Sequence, residues 1–214
     1  MPRAPFLRTA LLASVLLTAG ACGTTPEPDP SASAAPSSAT SPSATPSATP
    51  SAARAAGSLG GPGTPCALPV SFSLAEDWEP KAVEVPADPD FADLVKQGPA
   101  TIVCEANAKA TGNLGFLRVW SAPKGPAGTT LRAFVKAEKG SKGLTLADLK
   151  TGGTPIVEAR YTVHSELLDE DRAGRAFAVE TARSTVVVEL GGFDAEEDAM
   201  IAAYELARSS LKVT

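Results

Sequence analysis

The chain is poor in the side chains on which most catalysis and metal binding depend. Its 214 residues include one histidine, three cysteines, two tryptophans and two tyrosines. A metal centre built on several imidazoles is therefore excluded. HExxH, a Walker loop, Gly-x-Gly-x-x-Gly after a strand and Gly-x-Ser-x-Gly are all missing, which leaves the common zinc hydrolase, nucleotide and serine-hydrolase signatures without support. There is no excess of positive charge either. Nineteen Lys and Arg face 24 Asp and Glu, a net charge of −5. Loss of Arg3 and Arg8 with a cleaved leader would make the mature protein more acidic still. Such a chain has no electrostatic means of gripping nucleic acid, and anionic lipid headgroups would repel it. No apolar run reaches the roughly 20 residues of a membrane-spanning helix.

What is present is unevenly distributed. Met1 to Arg8 carries two arginines and no acid, and Thr9 to Thr18 is a short apolar run. Ala19, Gly20 and Ala21 then place small residues before Cys22. Positive start, apolar stretch and small-residue cleavage site describe a secretory leader over residues 1–21. The run Leu17-Thr18-Ala19-Gly20-Ala21-Cys22 resembles the bacterial lipobox, departing from its usual form at Ala19. The resemblance implies that Cys22 carries a diacylglycerol thioether, so that the protein reaches the membrane through lipid on Cys22. Acyl chains contribute about 0.8 kcal/mol per buried CH₂, and two of them anchor stably where one does not.

Residues 22–65 are expected to be a linker. Pro, Ser, Ala and Thr dominate it, including the tandem Ser43-Ala44-Thr45-Pro46 and Ser47-Ala48-Thr49-Pro50. A segment of this composition cannot bury enough apolar area to offset the entropy of ordering. Gly57 to Gly63 reads as flexible, and no strand precedes it to make it a phosphate loop.

Residues 66–214 hold nearly all the Phe, Tyr, Trp and Val, enough for one core. Val70, Phe72 and Leu74 alternate with small polar residues as in a half-buried strand. Asp88-Pro89 opens a short helix with Phe91, Leu94 and Val95 on its apolar face. Thr101 to Cys104 and Leu114 to Trp120 read as strands joined through Gly112-Asn113. A second helix follows Thr129 or Thr130, with Leu131, Phe134 and Val135 inward. Leu144 to Leu149, Ile156 to Leu167, Arg175 to Glu180 and Thr185 to Leu190 form a strand-rich run. Asp194 and Glu197 then suggest a capping box before a last helix whose stripe is Met200, Tyr204, Ala207 and Leu211. Runs of neighbouring strands with isolated helices give an α+β class, an antiparallel sheet flanked by helices.

Cys22 apart, two cysteines remain in a chain addressed to an oxidising compartment. A Cys66–Cys104 disulfide is the favoured reading. Two free thiols for redox or metal work is the alternative, weakened by the absence of a CxxC spacing.

The stretch Cys66 to Trp78 (CALPVSFSLAEDW), the strands around Cys104 and Trp120, and the ending LGGFDAEEDAMIAAYELARSSL resemble actinobacterial envelope lipoproteins. The nearest family is the LpqN-like one, whose domain is similar to the PsbP-like α/β/α sandwich. The resemblance spans residues 66–212. It implies a sheet between helices and a binding or accessory role, and it carries no functional residues across.

The remaining candidates have ordinary explanations. His164 lies opposite Val163, and its neighbour Ser165 points to the other side of a strand. Asp169, Glu170 and Asp171 fit a solvated hairpin tip better than a cation loop. Gly191-Gly192 precedes acids that would repel phosphate. Trp78 and Trp120 fit core packing. No catalytic residue, cofactor or metal is assigned. The expected role is a membrane-anchored, extracytoplasmic, non-catalytic module that docks another envelope protein or an apolar ligand, with no nucleic-acid partner. An envelope hydrolase or thiol-redox protein, and a passive structural lipoprotein, are the alternatives.

Overall fold

Period-two alternation builds the sheets. The structure, a computed structural model, describes residues 52–86 and 88–214. The leader, Cys22 and linker residues up to 51 lie outside the described residues. Two antiparallel sheets are formed. The smaller joins β1 (Ala55–Leu59), β2 (Val70–Ala75) and β11 (Lys212–Val213) in the order β1-β2-β11. The larger contains β3 (Glu79–Ala82), β4 (Lys96–Gln97), β5 (Ala100–Asn107), β6 (Gly115–Pro123), β7 (Ser141–Thr151), β8 (Thr154–Ser165), β9 (Glu170–Glu180) and β10 (Ser184–Gly192). Its order is β3-β5-β6-β10-β9-β8-β7, with β4 also paired to β5. Helices α1 (Ala127–Ala137) and α2 (Asp198–Ser209) complete the domain, with short 3₁₀ turns at Pro89–Val95 and Lys109–Thr111. The α+β class and the antiparallel sheet agree with the sequence.

Each face of the larger sheet has its own apolar layer. Trp120, Tyr161, Ala176, Ala178 and Val187 pack with Leu131, Phe134 and Val135 of α1. Leu117, Val119, Phe177, Val186 and Val188 pack with Met200 and Tyr204 of α2 and with Phe72 and Leu74 of β2. Neighbours in sequence such as Val186, Val187 and Val188 thus serve different layers, as the pleat requires.

Three expectations are corrected. First, the fold begins before residue 66. Ala55–Leu59 pairs with β2, and Leu59 is wholly buried. Burying one leucine contributes about 2 kcal/mol, and pairing with β2 satisfies the backbone N–H and C=O groups of the strand. Gly60, at φ +79°, makes the turn that follows, where a Cβ would stand 1.9 Å from the Val70 carbonyl oxygen. Second, Phe91 and Leu94 are exposed, and only Val95 of the expected apolar face is buried. The segment makes a 3₁₀ turn and then pairs through β4 with β5, so no α-helical stripe forms. Third, α2 starts at Asp198, with Glu197 at its N-cap and no side-chain cap. The Asp194 carboxylate instead accepts the Leu114 N–H at 2.6 Å, a contact across 80 residues that sequence spacing does not reveal. Helix α1 starts slightly earlier than expected, because the Glu180 carboxylate on β9 accepts the Ala127 N–H at 3.0 Å and satisfies a terminal donor.

Cys66 and Cys104 form a disulfide with Cα atoms 6.0 Å apart, both buried. It fastens the segment before β2 onto β5.

Candidate functional site

Strand parity brings an unusual set of side chains to the α1 face. Trp120 on β6, Glu189 on β10 and Tyr161 on β8 meet in the centre of the sheet. The Trp120 indole N–H donates to Glu189 Oε2 at 3.1 Å, and the Tyr161 hydroxyl lies 3.5 Å from Oε1. The Trp120 ring is held edge-on by Phe134 of α1, centroids 5.3 Å apart. Gly174 stands opposite Tyr161 on β9 and makes room for the phenol, since a Cβ there would lie 2.3 Å from a ring carbon.

Glu138, the residue that ends α1, comes to the same place. Its Oε2 is buried without a hydrogen-bond partner. Burial raises the Glu138 carboxyl above its ordinary value, against the pull of Tyr161, Gln97 and Arg118. Glu189 is buried more deeply. Desolvation first, and the neighbouring Glu138 charge second, push it up to about 7, while Arg118, Trp120 and Tyr161 oppose the rise. The same burial and the two carboxylates hold the Tyr161 phenol above its usual range. Two acids near one another in a dry site cannot both ionise cheaply.

This buried cluster lies between two concavities. One is a groove of about 660 Å³ lined by Val83, Leu94, Ile102 and Trp120, with Lys81 and Arg118 as its cations. The Arg118 guanidinium stacks on Phe116 at 3.8 Å and donates from Nε to Glu105 at 2.9 Å. The other is a small space of about 130 Å³ among Glu138, Tyr161, Glu189 and Arg172. A separate apolar hollow of about 760 Å³ lies by Leu149, Pro155 and Ile156 near the start of α1.

The residues singled out from sequence fall mostly elsewhere. Trp120 belongs to the cluster, and Trp78 is core. His164 sits at the end of β8, its Nδ1 3.0 Å from Asp171 Oδ1. Ser165 accepts the Leu168 N–H at 3.4 Å. Asp171 also pairs with Lys142 at 2.7 Å, and Glu170 pairs with Arg172. Lys142, with His164 second, holds the Asp171 carboxyl below its ordinary value. Among the described residues no group of His, Cys, Asp and Glu is arranged to hold a metal ion. Gly191 and Gly192 lie within β10, paired to Phe116 and Gly115. Glu138, Tyr161 and Glu189 were missed. The signal for Glu189 was available: it is the one charge inside Val186-Val187-Val188-Glu189-Leu190, a run otherwise wholly apolar.

A family model described as uncharacterised lipoprotein, Lipoprotein_23, matches residues 35–211. The chain belongs to that lipoprotein family. Proteins of curated function offer no match. Among solved structures, this lipoprotein is similar to cyanobacterial PsbP (CyanoP) from Synechocystis sp. PCC 6803. Identity is 14%, the TM-score is 0.48, and 68% of this chain and 86% of that one are covered. It is also similar to LpqN of Mycobacterium tuberculosis, a protein involved in cell envelope biogenesis. There identity is 16%, the TM-score is 0.38, and coverage is 73% of this lipoprotein and 89% of LpqN. These are the two kinds of protein that the resemblance over residues 66–212 named.

Proposed function

We propose that this lipoprotein is exported, anchored through lipid on Cys22 at the extracytoplasmic face of the bacterial cell membrane, and acts there as a non-catalytic binding or accessory module of the cell envelope. Family membership and the leader ending in Cys22 support the anchoring. The buried Cys66–Cys104 disulfide suits an oxidising compartment, and its inaccessibility opposes a thiol-redox role. The reading includes a PsbP-like α/β/α layering, supported by α1 packing on one sheet face and α2 on the other.

The observation that carries a binding role is the groove of about 660 Å³, in which exposed Leu94 and buried Ile102 and Trp120 meet Arg118 and Lys81. An apolar floor with a few convergent polar groups is how recognition sites are built. The occupant is another envelope protein or an apolar ligand. In-cell crosslinking compares wild type, Cys22→Ser and Leu94→Asp. The expected result is a crosslinked species lost in both variants, with Cys22→Ser also unlabelled by radioactive fatty acid. A species retained in Leu94→Asp refutes the groove, and lipid labelling of Cys22→Ser refutes the anchor.

One observation favours a second reading, an envelope hydrolase. Glu138 and Glu189 converge on Tyr161, and one of them titrates near neutrality. The space of about 130 Å³ between them is small for a substrate. Hydrolysis by the purified protein that disappears in Glu189→Gln would favour this reading over the first.

A further inference from the structure

Among the described residues, four of the eight exposed large apolar side chains gather at one end of the larger sheet. Leu167 (90% exposed), Phe193 (63%), Leu114 (59%) and Leu168 (44%) all lie there. Leu114 precedes β6 and Phe193 follows β10, and the pairing of Gly115 with Gly192 makes them neighbours. Leu167 and Leu168 lie in the turn of the β8–β9 hairpin, which continues past the Val163–Arg172 pair at the same end. Arg172 covers one face of Phe193 at 4.8 Å. The chain coming from Cys22 enters the domain here as well. Ala53 and Arg54 line a hollow together with Thr111 and Asn113, in the connection that leads into Leu114. Val213, another exposed apolar residue, belongs to the opposite end, since neighbouring Thr214 shares a hollow with Ser184 at the start of β10.

We propose that this end is a membrane-contacting surface, which seats Leu167, Leu168, Phe193 and Leu114 in the interfacial zone of the bilayer. The proposal rests on the anchoring through Cys22. About thirty residues separate Cys22 from the domain, so even fully extended that stretch keeps the domain within about 100 Å of the anchor. Tethering at that distance gives an effective concentration in the millimolar range, so a contact too weak to hold a free domain is populated in an anchored one. Four apolar side chains with an arginine among them suit the boundary between headgroups and acyl chains. Lys139, Lys142 and Arg172 are each ion-paired, to Glu166, Asp171 and Glu170. Asp169, Asp194 and Glu196 add negative charge at this end. The contact is therefore apolar, and anionic lipid weakens it.

The test uses the unacylated mature chain, residues 22–214, coupled through the Cys22 thiol to a maleimide lipid in phosphatidylcholine vesicles. Cys22 is the free thiol, because Cys66 and Cys104 are bonded to each other. Leu167→Trp, Leu114→Trp and Val213→Trp each report contact through quenching by brominated phosphatidylcholine, with the two native tryptophans buried as background. The expected result is quenching of the first two several-fold above the third. It should fall when Leu167→Ser and Leu168→Ser are added to Leu114→Trp, and when phosphatidylglycerol replaces half the lipid. No quenching, equal quenching at Val213→Trp, or quenching indifferent to the serine substitutions overturns the proposal. Shielding of Leu167→Trp that requires added cell extract overturns it in favour of a protein partner. Chemical coupling keeps this readout separate from native acylation, which the intact mass of the cellular protein reports.

Discussion

The two faces of the larger sheet each bury a glutamate, and they treat it differently. On the α2 face, Glu158 meets cations. Arg160 approaches one carboxylate oxygen at 3.3 Å, and Arg208 and the Tyr204 hydroxyl approach the other at 3.7 Å and 3.2 Å. On the α1 face, Glu189 receives only the neutral donors Trp120 and Tyr161, with the acid Glu138 close by. Arg118, the cation whose charge opposes its rise, is engaged by Glu105. A buried carboxylate with guanidinium partners is a structural ion pair, whereas one with neutral donors is a proton-binding group. The α2 face is covered by α2, β2 and the disulfide, while the groove lies on the α1 face.

Four measurements distinguish the two faces. The largest effect is expected from Cys66→Ser with Cys104→Ser, which frees a loop of 38 residues. The chain-entropy model gives a loss of about 4 kcal/mol, read by urea denaturation. An unchanged midpoint would mean that the α2 face is held by packing alone. Next, Arg160→Met with Arg208→Met strips Glu158 of its cations. About 3 kcal/mol should be lost at pH 7, because a buried charge is left unpaired. A double variant as stable as wild type would erase the contrast between the faces.

The third prediction concerns pH. Glu189 has a folded pKa of about 7, above the ordinary carboxylate value of 4.5. Between those two pH values the folded state binds the proton and the unfolded state does not. Stability is therefore full below about pH 4.5 and declines as pH rises towards 7, by roughly 3 kcal/mol. Glu138, raised in the same direction, adds to the decline. Glu189→Gln should flatten this part of the profile and melt higher than wild type at pH 8. A profile with equal slope in both proteins assigns the titration elsewhere. The smallest effect is expected for Trp120→Phe, which removes the donor to Glu189 and costs about 1 kcal/mol by chemical denaturation. It should also make the decline with pH steeper, because a partner of the ionised form is gone.

Much of the architecture was legible. The alternation at Val70, Phe72 and Leu74, the strand-rich run after residue 141, and the stripe Met200, Tyr204, Ala207 and Leu211 all took the places that their periodicity implied. The α1 positions Leu131, Phe134 and Val135 did as well. What failed depended on distant partners. Ala55–Leu59 looks like linker until β2 offers it an edge, and Asp194 looks like a cap until Leu114 claims it. The candidate site was the least legible part. Glu138, Tyr161 and Glu189 come from a helix end and two separate strands, and no spacing links them.

The acidic balance, the parity of the cysteines and the α+β class follow from local composition and periodicity, which one chain segment carries by itself. The meeting of Glu189 with Trp120, Tyr161 and Glu138, and the gathering of Leu114, Leu167, Leu168 and Phe193 at one sheet end, came only with folding. Strand order and register choose neighbours across the chain, and a carboxyl's proton affinity or a leucine's exposure is a property of those neighbours rather than of the residue.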